Sequence, residues 1–404
     1  MQHAAGSDAT SACLPWPLAP PGAGGVEIEA AHGKLAEAEM EKQDEAVRLS
    51  EIGEFGWIRR IARGRRAGRG VVLGIGDDAA VVRPSGGKKR LLITCDPVIE
   101  GVHFDSTATD EQIGWKAMMR NVSDLAAMGG EPRWALVSAA LPRDFPLRRA
   151  LAIQRGLDRA ARRFGVTIVG GDTARRRGAL QITVTALGEA PAREVTTRAG
   201  ARPGHALFVT GSLGGSRQRK HRTFVPRVTE ARFLASRGFA SAMMDLSDGL
   251  AGDLERLRER SEVGFEIFFE KLPVSAAARR AEVSRAGRVR RAMEDGEDYE
   301  LVFTTPRSKV ARLRREWARR FRLRLTEIGV VREKKFGIRR ALAPGWRAAS
   351  LFPGTIRAAY DHFLVPQSAA GKSGGAARGS RNTRVRPGEL RQNARRRAGR
   401  RAGR

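Results

Sequence analysis

Aspartates recur along this chain beside glycine, serine or threonine, mostly where a short apolar run ends, and this repetition constrains the fold more than any other feature. They stand in Gly74-Ile75-Gly76-Asp77-Asp78-Ala79-Ala80, Thr94-Cys95-Asp96, Asn121-Val122-Ser123-Asp124, Gly170-Gly171-Asp172-Thr173 and Asp245-Leu246-Ser247-Asp248-Gly249. Glycines at such places let the backbone turn tightly or approach a ligand. Adjacent carboxylates repel unless a cation or a proton lies between them. With two cysteines and six histidines in 404 residues, a set of oxygen ligands suits Mg²⁺ or Mn²⁺ and not zinc. For any one aspartate a cap or turn is the commoner role: Asp248 could cap a helix starting at Leu250, and Asp124 could be a solvated helix position. Repetition favours the metal reading for the group and leaves each member open.

The pattern around these turns predicts alternating strands and helices. Strands are expected over 71–75, 79–82, 91–94, 134–141, 167–169 and 180–187, with a short helix near 55–61, an amphipathic helix over 110–128 ended by Gly129-Gly130, and another over 147–164. After a Pro-, Thr- and Arg-containing connection at 191–203, strands are expected from 205–210, 242–246, 265–269, 299–304 and 325–331, and helices over 250–260 and 308–320. The fold class is therefore α/β with α+β mixing, in two α/β domains. The expected division is 1–48 as a disordered extension, with Met40 an alternative start, 49–195 and 203–365 as the domains, and 366–404 as a disordered basic tail.

A formal charge of +30 raises the question of nucleic acid. About +11 of it falls on 368–404, where twelve basic residues face one acidic residue, a composition unable to fold. Nucleic acid is then expected only non-specifically, through that tail. Cys13 and Cys95 are far apart and suggest no disulfide framework, so a reducing compartment fits. No apolar run approaches the roughly 18–20 residues that span a bilayer, and no basic stretch precedes the weakly apolar 14–21 patch as a signal peptide requires.

Clustered Mg²⁺ needs a polyanion to complete its shell, which points to nucleotide triphosphate chemistry. The P-loop pattern is absent: 211–216 is glycine-rich but lacks the lysine. Metal must then neutralise most of the phosphate charge. Arg198, in Thr197-Arg198-Ala199-Gly200-Ala201, is the best-placed helper, although an arginine pairing only with a neighbouring carboxylate would look the same.

Taken in order, these segments resemble the thiamine-monophosphate kinases, a branch of the superfamily that includes aminoimidazole ribonucleotide synthetase, selenophosphate synthetase and the hydrogenase maturation dehydratase. Further segments join the resemblance: Gly53-Glu54-Phe55, Glu100-Gly101-Val102-His103-Phe104, Gly296-Glu297-Asp298-Tyr299-Glu300-Leu301 and Tyr360-Asp361-His362-Phe363. The resemblance implies two domains of the aminoimidazole ribonucleotide synthetase-like type, the first binding ATP and metal. It implies several Mg²⁺ on Asp78, Thr94, Cys95, Asp96, Asp124, Asp172, Asp245 and Asp248. ATP would meet Gly171, Asp172, Arg198 and Ser247, and thiamine monophosphate would meet His103, Glu297 and Tyr360. Asp124, Asp172 and Arg198 would carry catalysis, in a cytoplasmic homodimer with its ATP sites near the subunit interface.

Three departures stand out. Cys95-Asp96-Pro97 replaces a usual Thr-Asp-Thr, leaving only a backbone carbonyl as ligand at 95. Asp295 replaces a glycine and adds charge beside the implied substrate site, and 211–232 is short and basic. The implied reaction is in-line transfer of the γ-phosphoryl group to the acceptor phosphate, already anionic near neutral pH because its second pKa is about 6. The alternatives are another ATP-using member of the superfamily, or a nucleic-acid-binding protein acting through its tail.

Overall fold

The computed structural model describes residues 48–62, 68–85 and 87–341. Expectations for 1–47, for 342–365 with Tyr360, and for the tail at 366–404 lie outside the described residues. Helix α1 (Leu49–Ala62) comes first, interrupted by non-helical Gly53. Strands β1 (Val71–Leu73), β2 (Ala80–Val82) and β3 (Lys89–Ile99) follow, then helix α2 (Asp110–Ala127), β4 (Glu131–Leu141), α3 (Leu147–Phe164), β5 (Thr167–Arg175) and β6 (Gln181–Pro191). These strands form a six-stranded sheet in the order β1-β2-β3-β6-β4-β5, antiparallel except for the β4–β5 pair that α3 connects. The second sheet orders its strands β12-β9-β11-β7-β10-β8, from β7 (Ala206–Thr210), β8 (Ala242–Asp245), β9 (Val263–Ile267), β10 (Leu301–Thr305), β11 (Leu325–Glu333) and β12 (Ile338–Arg340). Its helices are α4 (Val228–Ser236), α5 (Leu250–Ser261), α6 (Ala276–Ala281), α7 (Arg285–Glu294) and α8 (Arg307–Arg320). Two mixed sheets with helices packed on them agree with the expected class.

Several boundaries differ from the sequence reading, and two of the differences move site residues. β3 continues to Ile99, so Asp96 and Pro97 lie inside the strand. Proline is tolerated there because β2 pairs with β3 only as far as Ile93, which leaves the outer edge at 97 without a ladder partner. β5 runs to Arg175, so Gly170-Gly171-Asp172-Thr173 lies within a strand and not after one. Helices α4, α6 and α7 and strand β12 are additions; they are short, and several are rich in arginine, so their apolar stripe is weak.

α2 is not amphipathic in its surroundings. A capping box joining Thr109 and Gln112 starts it, and its buried residues point in every direction around the axis. It crosses α3 closely: a Cβ on Gly114 would lie 2.0 Å from the Ile153 carbonyl oxygen, and one on Gly156 would lie 2.1 Å from that of Glu111. Those two glycines set how near the helices approach. One apolar core runs from α2 and the first sheet through Phe224 and Tyr299 to Phe208 and Phe303 of the second sheet. A second fills the other face of that sheet, under α5 and α7. α2 thus stands between the two sheets, fixed to both.

Candidate active site

A cavity of about 850 Å³ opens where α1, the β1–β2 turn, β3, α2, the second half of α5 and the 245–248 turn meet. Asp78, Asp124 and Asp245 each turn a carboxylate oxygen into it, and those oxygens lie within 4.8 Å of one another. Neighbouring hydroxyls orient two of them: Thr94 Oγ1 donates to Asp124 Oδ2 at 2.8 Å, and Ser123 Oγ donates to Asp245 Oδ2 at 2.6 Å. Oδ2 of Asp78 has no hydrogen bond among the described residues. Burial, and then the charge of Asp78, pushes the Asp245 carboxyl up to about 7. Asp124 is raised well above the usual carboxylate range by burial, then by Asp96, Asp245 and Asp78. Crowded, desolvated oxygens of this kind favour a cation or a proton among them.

The remaining expected ligands divide. Asp96 and Asp248 line the cavity, paired respectively with Arg120 at 3.0 Å and with Arg256 at 2.5 Å. Cys95 also lines it, but strand alternation turns its thiol to the opposite face of the sheet from Thr94, where it accepts from Thr185 Oγ1 at 3.2 Å. Arg198 is on the wall: its guanidinium meets Asp78 at 2.5 Å, and its backbone N–H donates to Asp77.

Gly171 and Asp172 are not brought to this cavity. They sit on β5, the far edge of the first sheet, with β4 and β6 between them and β3. Asp172 is exposed and pairs in register with Ser138, on the face that carries exposed Trp134 and Leu136, whereas α2 packs on the other face. Gly171 has a structural requirement of its own, since a Cβ there would lie 1.8 Å from the Val137 carbonyl oxygen.

A smaller recess adjoins the cavity and shares Arg120, Ser247 and Asp248 with it. His103 and Glu297 line it, with Tyr299 behind. His103 is buried, and its Nδ1 accepts the Ile99 N–H at 3.1 Å. Glu297 meets Lys116 at 2.6 Å and His221 at 2.9 Å. Burial works to raise its carboxyl, but the bond from His221 and the charge of Lys116 outweigh it and hold the pKa at about 2. Lys116 in turn is lowered to about 8, chiefly by burial. Glu297 and Tyr299 both have positive φ, 55° and 49°, a backbone region that costs a non-glycine residue about 1–3 kcal/mol. Bonds from their N–H groups to the Ser247 and Leu246 carbonyls hold that turn. Tyr360 lies outside the described residues.

Asp295 is tied down: it accepts the Gly215 N–H at 2.7 Å and lies 3.5 Å from Arg291. Asp298 does the same for Gly214 at 2.8 Å. In the glycine-rich 211–216 loop the amides of Gly214 and Gly215 therefore face carboxylates of the protein, and those of Gly211 and Leu213 donate to backbone carbonyls.

Arg120, Lys116, His221 and Arg256 escape the sequence reading. The first two carry a legible signal. Lys116, Arg120 and Asp124 are spaced four apart, and beyond the first turn of the helix they are its charged positions, forming one stripe.

A family model described as AIR synthase related protein, N-terminal domain, matches residues 76–190. A thiamine-monophosphate kinase from Rhodopirellula baltica is 41% identical over 241 residues, covering 58% of this chain and 76% of that protein. One from Aquifex aeolicus is 35% identical over 284 residues, covering 65% and 89%. Among solved structures, one described as AaThiL complexed with AMPPCP and TMP superposes with a TM-score of 0.65 at 32% identity, over 78% of this chain and 99% of that one.

Proposed function

Because this chain belongs to the thiamine-monophosphate kinase family, we propose that its cavity and recess hold the two reactants of one phosphoryl transfer. The enzyme moves the γ-phosphoryl group of ATP to thiamine monophosphate, giving thiamine diphosphate and ADP. One observation carries the division of labour: the carboxylates of Asp78, Asp124 and Asp245 converge in a cavity that shares the wall of Arg120, Ser247 and Asp248 with the recess of His103 and Glu297.

The donors at the cluster are carboxylate and hydroxyl oxygens, which fit Mg²⁺. Asp78, Thr94, Asp96, Asp124, Asp245 and Asp248 are the side chains assigned to it, with Cys95 contributing its carbonyl. Bound there, the ions would neutralise the triphosphate and the developing charge. The protein's own residues do the rest by position. Ser247 and Arg198 are assigned to ATP, and His103, Glu297 and Tyr360 to the acceptor. Since the acceptor oxygen is already anionic, no side chain need remove a proton, and catalysis rests on orientation and electrostatics.

The placement of Gly171 and Asp172 supports a homodimer in which these residues face the site of the second chain. The exposed apolar residues Trp134 and Leu136, on the face of the sheet away from α2, support the same assembly. A cytoplasmic location fits an ATP-using enzyme with a free cysteine, and among the described residues no helix is long and apolar enough to cross a membrane. The domains are taken as 49–195 and 203–365. Measuring ADP release with thiamine monophosphate and Mg²⁺ tests the function; turnover of an aminoimidazole precursor and none of thiamine monophosphate would overturn it.

A further inference from the structure

We propose that Arg120 is a catalytic residue, whose guanidinium grips the acceptor phosphate where the recess opens into the cavity and stays on it as the phosphoryl group is transferred. The inference rests on the function given above and adds a residue to it.

Position is the first argument. The two spaces meet at Arg120, Ser247 and Asp248, and Arg120 is the cation among the three. Arg198 and Arg256 line the cavity alone, whereas Arg217 lines the recess alone. Arg198 is engaged by Asp78, and Arg256 by Asp248 and the buried Asp253.

Arg120 is also held in a way that leaves it something to offer. One terminal nitrogen donates to the Pro97 carbonyl at 2.8 Å, and the other faces Asp96 at 3.0 Å. Nε has no hydrogen bond among the described residues, although the side chain is only 14% exposed. A desolvated N–H without a partner has an unmet demand that an anion satisfies. The helix that carries it is fixed by the Gly114–Gly156 crossing and carries Asp124 one turn further on, so a phosphate on Arg120 is registered against the acidic cluster.

The chemistry gives the position its use. An acceptor oxygen forms a bond to the γ-phosphorus while the bond from that phosphorus to the β-phosphate oxygen breaks, and the electron pair leaves with ADP. No proton moves. What must be offset is repulsion between two phosphates at the junction, and a charge-assisted donor on the acceptor there lowers it as the two approach.

The test is the Arg120→Met variant of the full chain, with kcat, the KM of each substrate, and AMPPCP affinity in Mg²⁺ by calorimetry. We expect kcat to fall about 100-fold, in line with loss of one preorganised donor. KM for thiamine monophosphate should rise while AMPPCP affinity stays within about twofold, since Arg120 acts on the acceptor. If Arg120 only fastens Asp96 and β3 to α2, AMPPCP affinity will drop in step with kcat, and the inference is overturned. It is equally overturned if kcat and the acceptor KM do not change. Should the Met variant not fold, Arg120→Lys decides: it keeps the charge but not the planar fork, so a roughly tenfold lower kcat supports the inference and an unchanged kcat overturns it. If the unsubstituted chain turns over no thiamine monophosphate, function and inference fall together.

Discussion

The Ser123 hydroxyl donates to the Asp245 carboxylate across 2.6 Å, linking α2 to the last residue of β8. The residue after Ser123 is Asp124, so one helical turn both binds the second sheet and supplies a carboxylate to the cluster that Asp245 joins. The two sheets are thus fastened at the point where their acidic groups crowd, and the bond holds charges together that would otherwise part.

Replacing Asp245 by Asn keeps the shape and an acceptor for Ser123 while removing one charge. Without metal, the thermal midpoint should hold or rise, because like charges are relieved. A ligand that binds only the folded state stabilises it by about 2.7 kcal/mol at 100 times its dissociation constant. Mg²⁺ should therefore raise the midpoint of the unsubstituted chain and scarcely move that of Asp245→Asn, whose kcat should fall at least about 100-fold. Melts with and without Mg²⁺, beside ADP release, check this; an equal Mg²⁺ shift in both proteins would remove Asp245 from the ligand set.

Lys116 and its bond to Glu297 predict the pH profile. Below about pH 6 the acceptor phosphate dianion takes up a proton and turnover should fall, whatever stands at 116. Above about 8, Lys116 loses its charge and Glu297 loses a partner. KM for thiamine monophosphate should then rise, while KM for ATP does not follow. The sign for stability is opposite. With a folded pKa of about 8 against 10.5 when unfolded, the unfolded chain holds more protons between those values. The cost of burying the ammonium is fully present below about 8 and is relieved as pH rises towards 10.5, so unfolding driven by this group does not explain the alkaline limb. Lys116→Arg should move that limb upward. Finding the limb unmoved, in KM against pH for both proteins, would detach Lys116 from the acceptor site.

Much of this was legible in the sequence because its signals are local. The α3 helix ends where its apolar spacing ends, and the acidic turns announce themselves by glycine and serine neighbours. What was not legible depends on pairing at a distance. Asp96 reads as a turn residue until β6 is seen to extend β3 past Thr94. Asp124 reads as a solvated position until α2 is seen between two sheets. Glu297 reads as part of an acidic turn, and nothing near it in sequence reveals Lys116, 181 residues away. Asp172 is the sharpest instance: its motif belongs with the others, yet the order of strands places it at the opposite edge of the sheet.

That placement gives the strictest test of the proposed assembly. Asp124 reaches the cavity from the helix-covered side of the first sheet, and Asp172 stands on its other face at the far edge. A site needing both must draw them from two chains. In a symmetric dimer, Asp124→Asn and Asp172→Asn should each be nearly inactive alone, since every site then lacks one residue. Mixed and allowed to exchange subunits, about half the dimers become heterodimers, and each of these has one site with both aspartates and one with neither. Activity should return to about a quarter of that of the unsubstituted chain, counted per site. ADP release before and after mixing checks it, with exchange verified by native mass. If verified heterodimers stay inactive, Asp172 does not serve the neighbouring site. If Asp172→Asn is fully active by itself, the residue is no part of the chemistry.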